Sequence, residues 1–168
     1  VRCVVLTGAG RVFSAGHDLR ELRDAAPEEQ AAIFALCTEV MEGVRLLPQP
    51  VIAQVQGLAT AAGCQLAASC DLVVASEDAA FATPGVRIGL FCTTPGVAVA
   101  RAVPAKKAME MLLTGTPISA REALGCGLVS RVVPADRVAE ETLGLARQIA
   151  GASSHVVRLG KAAFYRQV

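Results

Sequence analysis

Residues 50–76 read PVIAQVQGLATAAGCQLAASCDLVVAS, and this stretch decides the fold class. Val51–Gln56 is an apolar, β-branched run that suits a buried strand, and Gly57 closes it. Residues 62–69 form a short helix of small residues, and Leu72–Ala75 is a further buried strand. Strands and a small-residue helix at such close spacing indicate an α/β domain in which helices lie directly on a sheet.

The pattern extends in both directions. Val1–Thr7 suits a strand ending at Gly8, and residues 8–18 read as loop. Pro27-Glu28-Glu29 starts a helix, since proline fits a first turn and carboxylates complement the positive end of the macrodipole. Ile33, Leu36, Val40, Val44 and Leu47 give that helix one apolar stripe, and Pro48 and Pro50 end it. Ala80–Ala82 fits a fourth strand. Beyond it helices are expected near 95–102, 104–114, 119–125, 135–150 and 154–166, with a strand at Leu128–Val133. No linker-like stretch divides the chain, so residues 1–168 form one domain.

Composition narrows the function. Hydrophobic residues make up 53% and aromatics 4%, with no Trp, so the core must pack through small side chains and close backbone approach. A net charge of +1 with no basic stripe argues against nucleic acid as a partner, because phosphate binding needs clustered cations. Asp71, Glu77 and Asp78 interrupt the most apolar region, so no segment reads as membrane-spanning. Six cysteines without a CxxC pair read as buried, reduced thiols in a reducing compartment, and no metal site is expected. Val1 opens on a strand-like run and Val168 ends a helical one, so the chain reads as a fragment truncated at both ends.

Three constellations bear chemistry. Gly8-Ala9-Gly10 follows a strand, but a dinucleotide fingerprint needs glycine where Phe13 stands, and the reading fails. Phe13-Ser14-Ala15-Gly16-His17-Asp18-Leu19 is a small-residue turn leading into a helical stretch, which leaves backbone N–H groups free for an oxyanion. Asp18 suits a helix cap there better than a base. Ala61-Ala62-Gly63 opens a helix beside the end of a strand and offers further N–H donors.

In this order, FSAGHDL, the 50–76 stretch, AAFATPGVRIGL and AMEMLLTGTPISAREALGCGLVSRVV resemble the crotonase (enoyl-CoA hydratase/isomerase) superfamily over nearly the whole chain. The resemblance implies a ββα spiral core with helical extensions, here without the early strands and the C-terminal trimerisation helices. It implies an acyl-CoA thioester as ligand, with CoA part of the substrate and no separate cofactor. A homotrimer or hexamer and a mitochondrial setting in fatty-acid metabolism are implied as well. By match to the motifs, the N–H groups of His17 and Ala62 would form an oxyanion hole for the thioester oxygen. Ala15, Gly16, His17, Asp18, Leu19, Arg20, Ala62 and Gly63 would line the CoA cleft. If φ at Ala62 must be positive, its methyl group costs on the order of 1 kcal/mol.

Hydratases of that family carry glutamates at the positions matching Gln65 and Gly85. Glutamine orients a water but transfers no proton at neutral pH, and glycine offers nothing. Each lost acid–base group removes about 10²–10⁴ in rate. The first expectation is therefore an acyl-CoA-binding homologue whose hydratase activity is weak or absent. The alternatives are an active lyase or isomerase using water held by Gln65, and a non-catalytic assembly partner of crotonase oligomers. Asp71, Asp78, His155, Cys64 and Cys92 have no visible partner that would make any of them catalytic.

Overall fold

The computed structural model describes residues 1–167. The elements run β1 (Val4–Thr7), β2 (Val12–Ser14), α1 (Leu19–Asp24), α2 (Pro27–Leu46), β3 (Val51–Val55), β4 (Leu58–Thr60) and α3 (Ala62–Ser69). They continue with β5 (Leu72–Ser76), β6 (Ala80–Ala82), α4 (Thr93–Ala102), α5 (Ala105–Thr114), β7 (Ile118–Ser119), α6 (Ala120–Gly125), β8 (Arg131–Val133), α7 (Val138–Ala150) and α8 (Ser154–Phe164). A 3₁₀ turn at Pro84–Ile88 joins β6 to the approach to α4.

Each turn of the chain lays one strand in each of two sheets. The first sheet, ordered β1-β3-β5-β8, is parallel throughout, with Val4 opposite Val51 and Ile52 opposite Leu72. The second, ordered β2-β4-β6-β7, is parallel except for the last pair. This is a ββα spiral. The main core includes Val51, Ala53, Val55, Ala59, Val73, Ala75 and Phe81, drawn from strands of both sheets. Ile52 and Val74 point the other way and pack with Leu145 of α7. Both faces of β3 are thus covered, as its continuous apolar run requires.

Two short strands revise the sequence reading. Residues 8–18 are not all loop, because Val12–Ser14 pairs with Leu58–Thr60 through a bulge. Three-residue strands are too short to show a period of two. The strand expected over Leu128–Val133 shrinks to Arg131–Val133. Leu128 and Val129 are buried in the core but not in the ladder.

Helix α2 forms where expected, yet its apolar stripe buries only in part. Val44 packs against the core, whereas Leu36 and Val40 are 62% and 48% exposed. Helix α8 is held differently. Lys161 Nζ donates to Asp71 Oδ2 at 2.7 Å and to the Gln49 carbonyl at 3.0 Å. The same carboxylate oxygen accepts the N–H of Val51 at 2.6 Å, so one buried ion pair joins α8 to the start of β3.

Candidate active site

Two loops meet at the start of α3. Gly16 has φ +88° and lies so close to Ala62 that a Cβ placed on it would stand 3.0 Å from the Ala62 nitrogen. One residue on, a Cβ at Gly63 would run into the carbonyl of Ser14. Small residues are therefore required here for a steric reason. They let the first turn of α3 press against the loop that carries His17. Ala62 is the first residue of α3, so its N–H has no acceptor within the helix. Neither that N–H nor the N–H of His17 meets a protein acceptor outside it among the described residues. The His17 ring is held edge-on to Phe34 of α2 with centroids 5.1 Å apart.

The backbone strain lies at the residue before Ala62. Ala61, not Ala62, has positive φ (52°, with ψ −124°), and it is the only such non-glycine among the described residues. Its N–H donates to Ala82 at 3.0 Å and its carbonyl accepts from Gln65 at 3.1 Å. Those bonds hold a conformation that costs about 1–3 kcal/mol for a residue with a side chain.

Gln65 lies one turn further along the same side of α3. It is 7% exposed, and its Oε1 has no hydrogen-bond partner. Gln65 lines a cleft of about 640 Å³ between α2, α3 and α4, together with Met41, Ser69, Thr94 and Val97. His17, Ala62 and Gly85 do not line that cleft. Gly85 is buried in the 3₁₀ turn and donates its N–H to Cys92 Sγ at 3.3 Å. Asp18 caps α1, accepting from Arg20 N–H at 2.8 Å, and so its carboxylate is already engaged. Ala15, Leu19 and Arg20 are exposed on the outer side of this loop. A second cavity of about 380 Å³, by Arg2, Pro48, His155 and Arg158, holds none of the candidate residues.

Comparison with known proteins places this geometry. The family described as Enoyl-CoA hydratase/isomerase matches residues 1–168. The chain belongs to the enoyl-CoA hydratase/isomerase family. Among its relatives is enoyl-CoA hydratase domain-containing protein 3, mitochondrial, of Homo sapiens, 56% identical over all of this chain and 56% of the relative. A putative enoyl-CoA hydratase of Thermus thermophilus is 40% identical over 96% of this chain and 65% of that protein. The crystal structure of the human domain-containing protein 3 superposes with a TM-score of 0.96 at 57% identity, covering 99% of this chain and 66% of the other. That of an enoyl-CoA hydratase from Mycobacterium smegmatis gives 0.97 at 51% identity, covering 99% and 65%. The chain thus spans little more than half the length of the curated relatives it matches first.

Within this crotonase frame the polar inventory around Gln65 is sparse. Burial pushes the Cys64 thiol up to about 12, with Cys92 nearby adding to the shift, so the thiol is neutral and a poor nucleophile at neutral pH. The buried Cys70 thiol is raised to about 12 in the same way. All six cysteines are free, and the described residues hold no cluster of His, Cys, Asp or Glu able to bind a metal. Three features escaped the sequence reading: the strain at Ala61, the Cys92 contact with Gly85 and the Asp71–Lys161 pair. The glycine at position 85 was the one available signal for the second. The other two carry none, since Lys161 is ninety residues from Asp71.

Proposed function

We propose that this crotonase-family chain binds acyl-CoA thioesters through an oxyanion hole and performs hydration weakly or not at all. The observation that carries the reading is the pair of unpartnered N–H groups, His17 and Ala62, brought together by the contact of Gly16 with Ala62. Such donors survive side-chain substitution, and one is worth ~3 kcal/mol in a transition state. Polarising a thioester carbonyl needs no carboxylate. Moving protons at the second and third acyl carbons does, and Gln65 and Gly85 supply none.

In this scheme the thioester oxygen lies at the start of α3 and the acyl chain runs along the helix. Three residues of helix rise about 4.5 Å, similar to the reach from a thioester oxygen to a group on the third acyl carbon. Gln65 therefore faces that carbon, with the cleft beyond it for the tail. The CoA moiety would follow Ala15–Arg20 and Gly63. The reading extends to a mitochondrial setting, following the relatives' names, and, from the family resemblance, to fatty-acid metabolism and a homotrimer or hexamer of the whole protein. Support for assembly is the apolar surface of α8, where Val156, Leu159 and Phe164 are 65%, 54% and 59% exposed.

Butyryl-CoA titration and crotonyl-CoA turnover by the whole protein test this. Binding with turnover at least about 10²-fold below a glutamate-bearing relative is expected. Failure to bind would remove the reading, and efficient turnover would remove its second half. One observation favours a second reading. Gln65 lines the cleft and its amide can orient a water, so residual lyase activity would be lost in Gln65→Ala if that water is the nucleophile.

A further inference from the structure

Gly85 does more than lack a side chain; its surroundings leave no room for one. Gly89, at φ +77°, turns the chain back at the end of the 3₁₀ turn, and Leu90 donates its N–H to the Gly85 carbonyl at 2.9 Å. Cys92 then lies over Gly85. A Cβ placed at position 85 would stand 2.8 Å from Cys92 Sγ, 3.0 Å from the Leu90 carbonyl oxygen and 3.2 Å from the Cys92 nitrogen. Separations below 3 Å are not tolerated by a real Cβ, so something would have to shift. The sulfur would have to turn away and give up the Gly85 N–H, while the Cys92 backbone is held. Cys92 is 9% exposed, receives the Gly85 N–H on sulfur, and precedes α4, whose Gly96 N–H its carbonyl accepts at 2.8 Å.

We infer that Cys92 is a specificity-determining residue, its thiol filling the space through which a side chain at 85 would enter the site. Gly85 and Cys92 then form a matched pair that walls off one side of the acyl group. No proton donor can enter from that side while the thiol stays. Restoring a carboxylate at 85 alone would force the Leu90–Cys92 segment outward instead of rebuilding an acid. The role rests on the acyl-thioester reading of the site, but the steric pairing of residues 85 and 92 does not.

The test is a double-mutant cycle in the whole protein, read first without ligand. Gly85→Ala should lower Tm in the natural background, and that loss should shrink to less than half when Cys92→Gly is present. Equal losses in the two backgrounds overturn the pairing. Activity is the second readout, one that a merely structural residue would not move. Gln65→Glu/Gly85→Glu with Cys92→Gly should hydrate crotonyl-CoA at least about tenfold faster than the same double variant retaining Cys92. Equal rates, silence in both included, overturn the specificity role. Butyryl-CoA binding by the natural chain is measured separately. Its absence would remove the functional reading while leaving the Tm cycle interpretable.

Discussion

Asp71 and Gln65 lie six positions apart, both are largely buried, and their surroundings are opposite. Asp71 accepts from Val51 N–H and from Lys161 Nζ, and Lys161 places a further proton on the Gln49 carbonyl. Gln65 Oε1 accepts from nothing. One region carries full charges with every partner in place, and the other carries a neutral group with its acceptor left open. A buried charge is tolerated only when paired, so the first arrangement holds the fold together. A buried open acceptor costs stability. The chain therefore separates the polar group that holds α8 in place from a polar group whose acceptor is left unpartnered.

Breaking the paired region gives the largest expected effect. Lys161→Ala leaves the Asp71 carboxylate buried without its cation and should cost about 3–5 kcal/mol. For a chain of this length that is a Tm loss on the order of 10 °C, measured by thermal unfolding with circular dichroism. Asp71→Leu/Lys161→Met should recover most of it, because an apolar pair of similar size avoids the orphaned charge. A single variant as stable as the natural chain would place the anchoring of α8 elsewhere.

Next in size is Gly16→Ala, which strikes the donor pair. The new methyl group would meet Ala62 at a φ of +88° that an L-residue adopts only with strain. The expected stability loss is about 1–2 kcal/mol, with butyryl-CoA affinity falling about tenfold or more as the loop and α3 separate. Unchanged affinity would show that His17 and Ala62 do not form the binding contact.

Alkaline pH probes the buried thiols between the two regions. Cys64 and Cys70 have folded-state values of about 12 against an ordinary 9.0. Their neutral forms favour the fold fully below about pH 9, and the contribution is lost as pH rises from 9 through 12. Tm should fall across that window and fall less in Cys64→Ala, compared variant against variant to remove its cavity cost.

How legible the two regions were follows from the physics of each. Residues 50–76 announced β3, α3 and β5 because buried parallel strands and small-residue helices leave a local composition. The N–H groups of His17 and Ala62 were proposed through motif resemblance, and the structure adds only that the first turn of α3 starts at Ala62 beside the loop carrying His17. The strain at Ala61 was not legible. Nothing in the types of Ala61 and Ala62 distinguishes them, and only the bonds to Ala82 and from Gln65 fix which one bends. Lys161 was invisible as a partner of Asp71, because contact between distant residues is a property of the spiral and not of either neighbourhood.

The smallest effects sharpen the comparison instead of breaking it. Gln65→Leu removes the open acceptor while keeping much of the side-chain volume, so stability should hold or rise by about 1 kcal/mol. A loss of several kcal/mol would mean that Gln65 is partnered in solution and belongs with Asp71. Ala61→Gly tests the same idea in the backbone. Relief of about 1–3 kcal/mol of strain is opposed by about 0.5–1 kcal/mol of added unfolded-chain entropy. The net expectation is a gain near 1 kcal/mol in urea unfolding. If the gain appears with butyryl-CoA affinity unchanged, the strain is incidental to binding. If it comes with weakened affinity, the bend at Ala61 is what aims the Ala62 N–H.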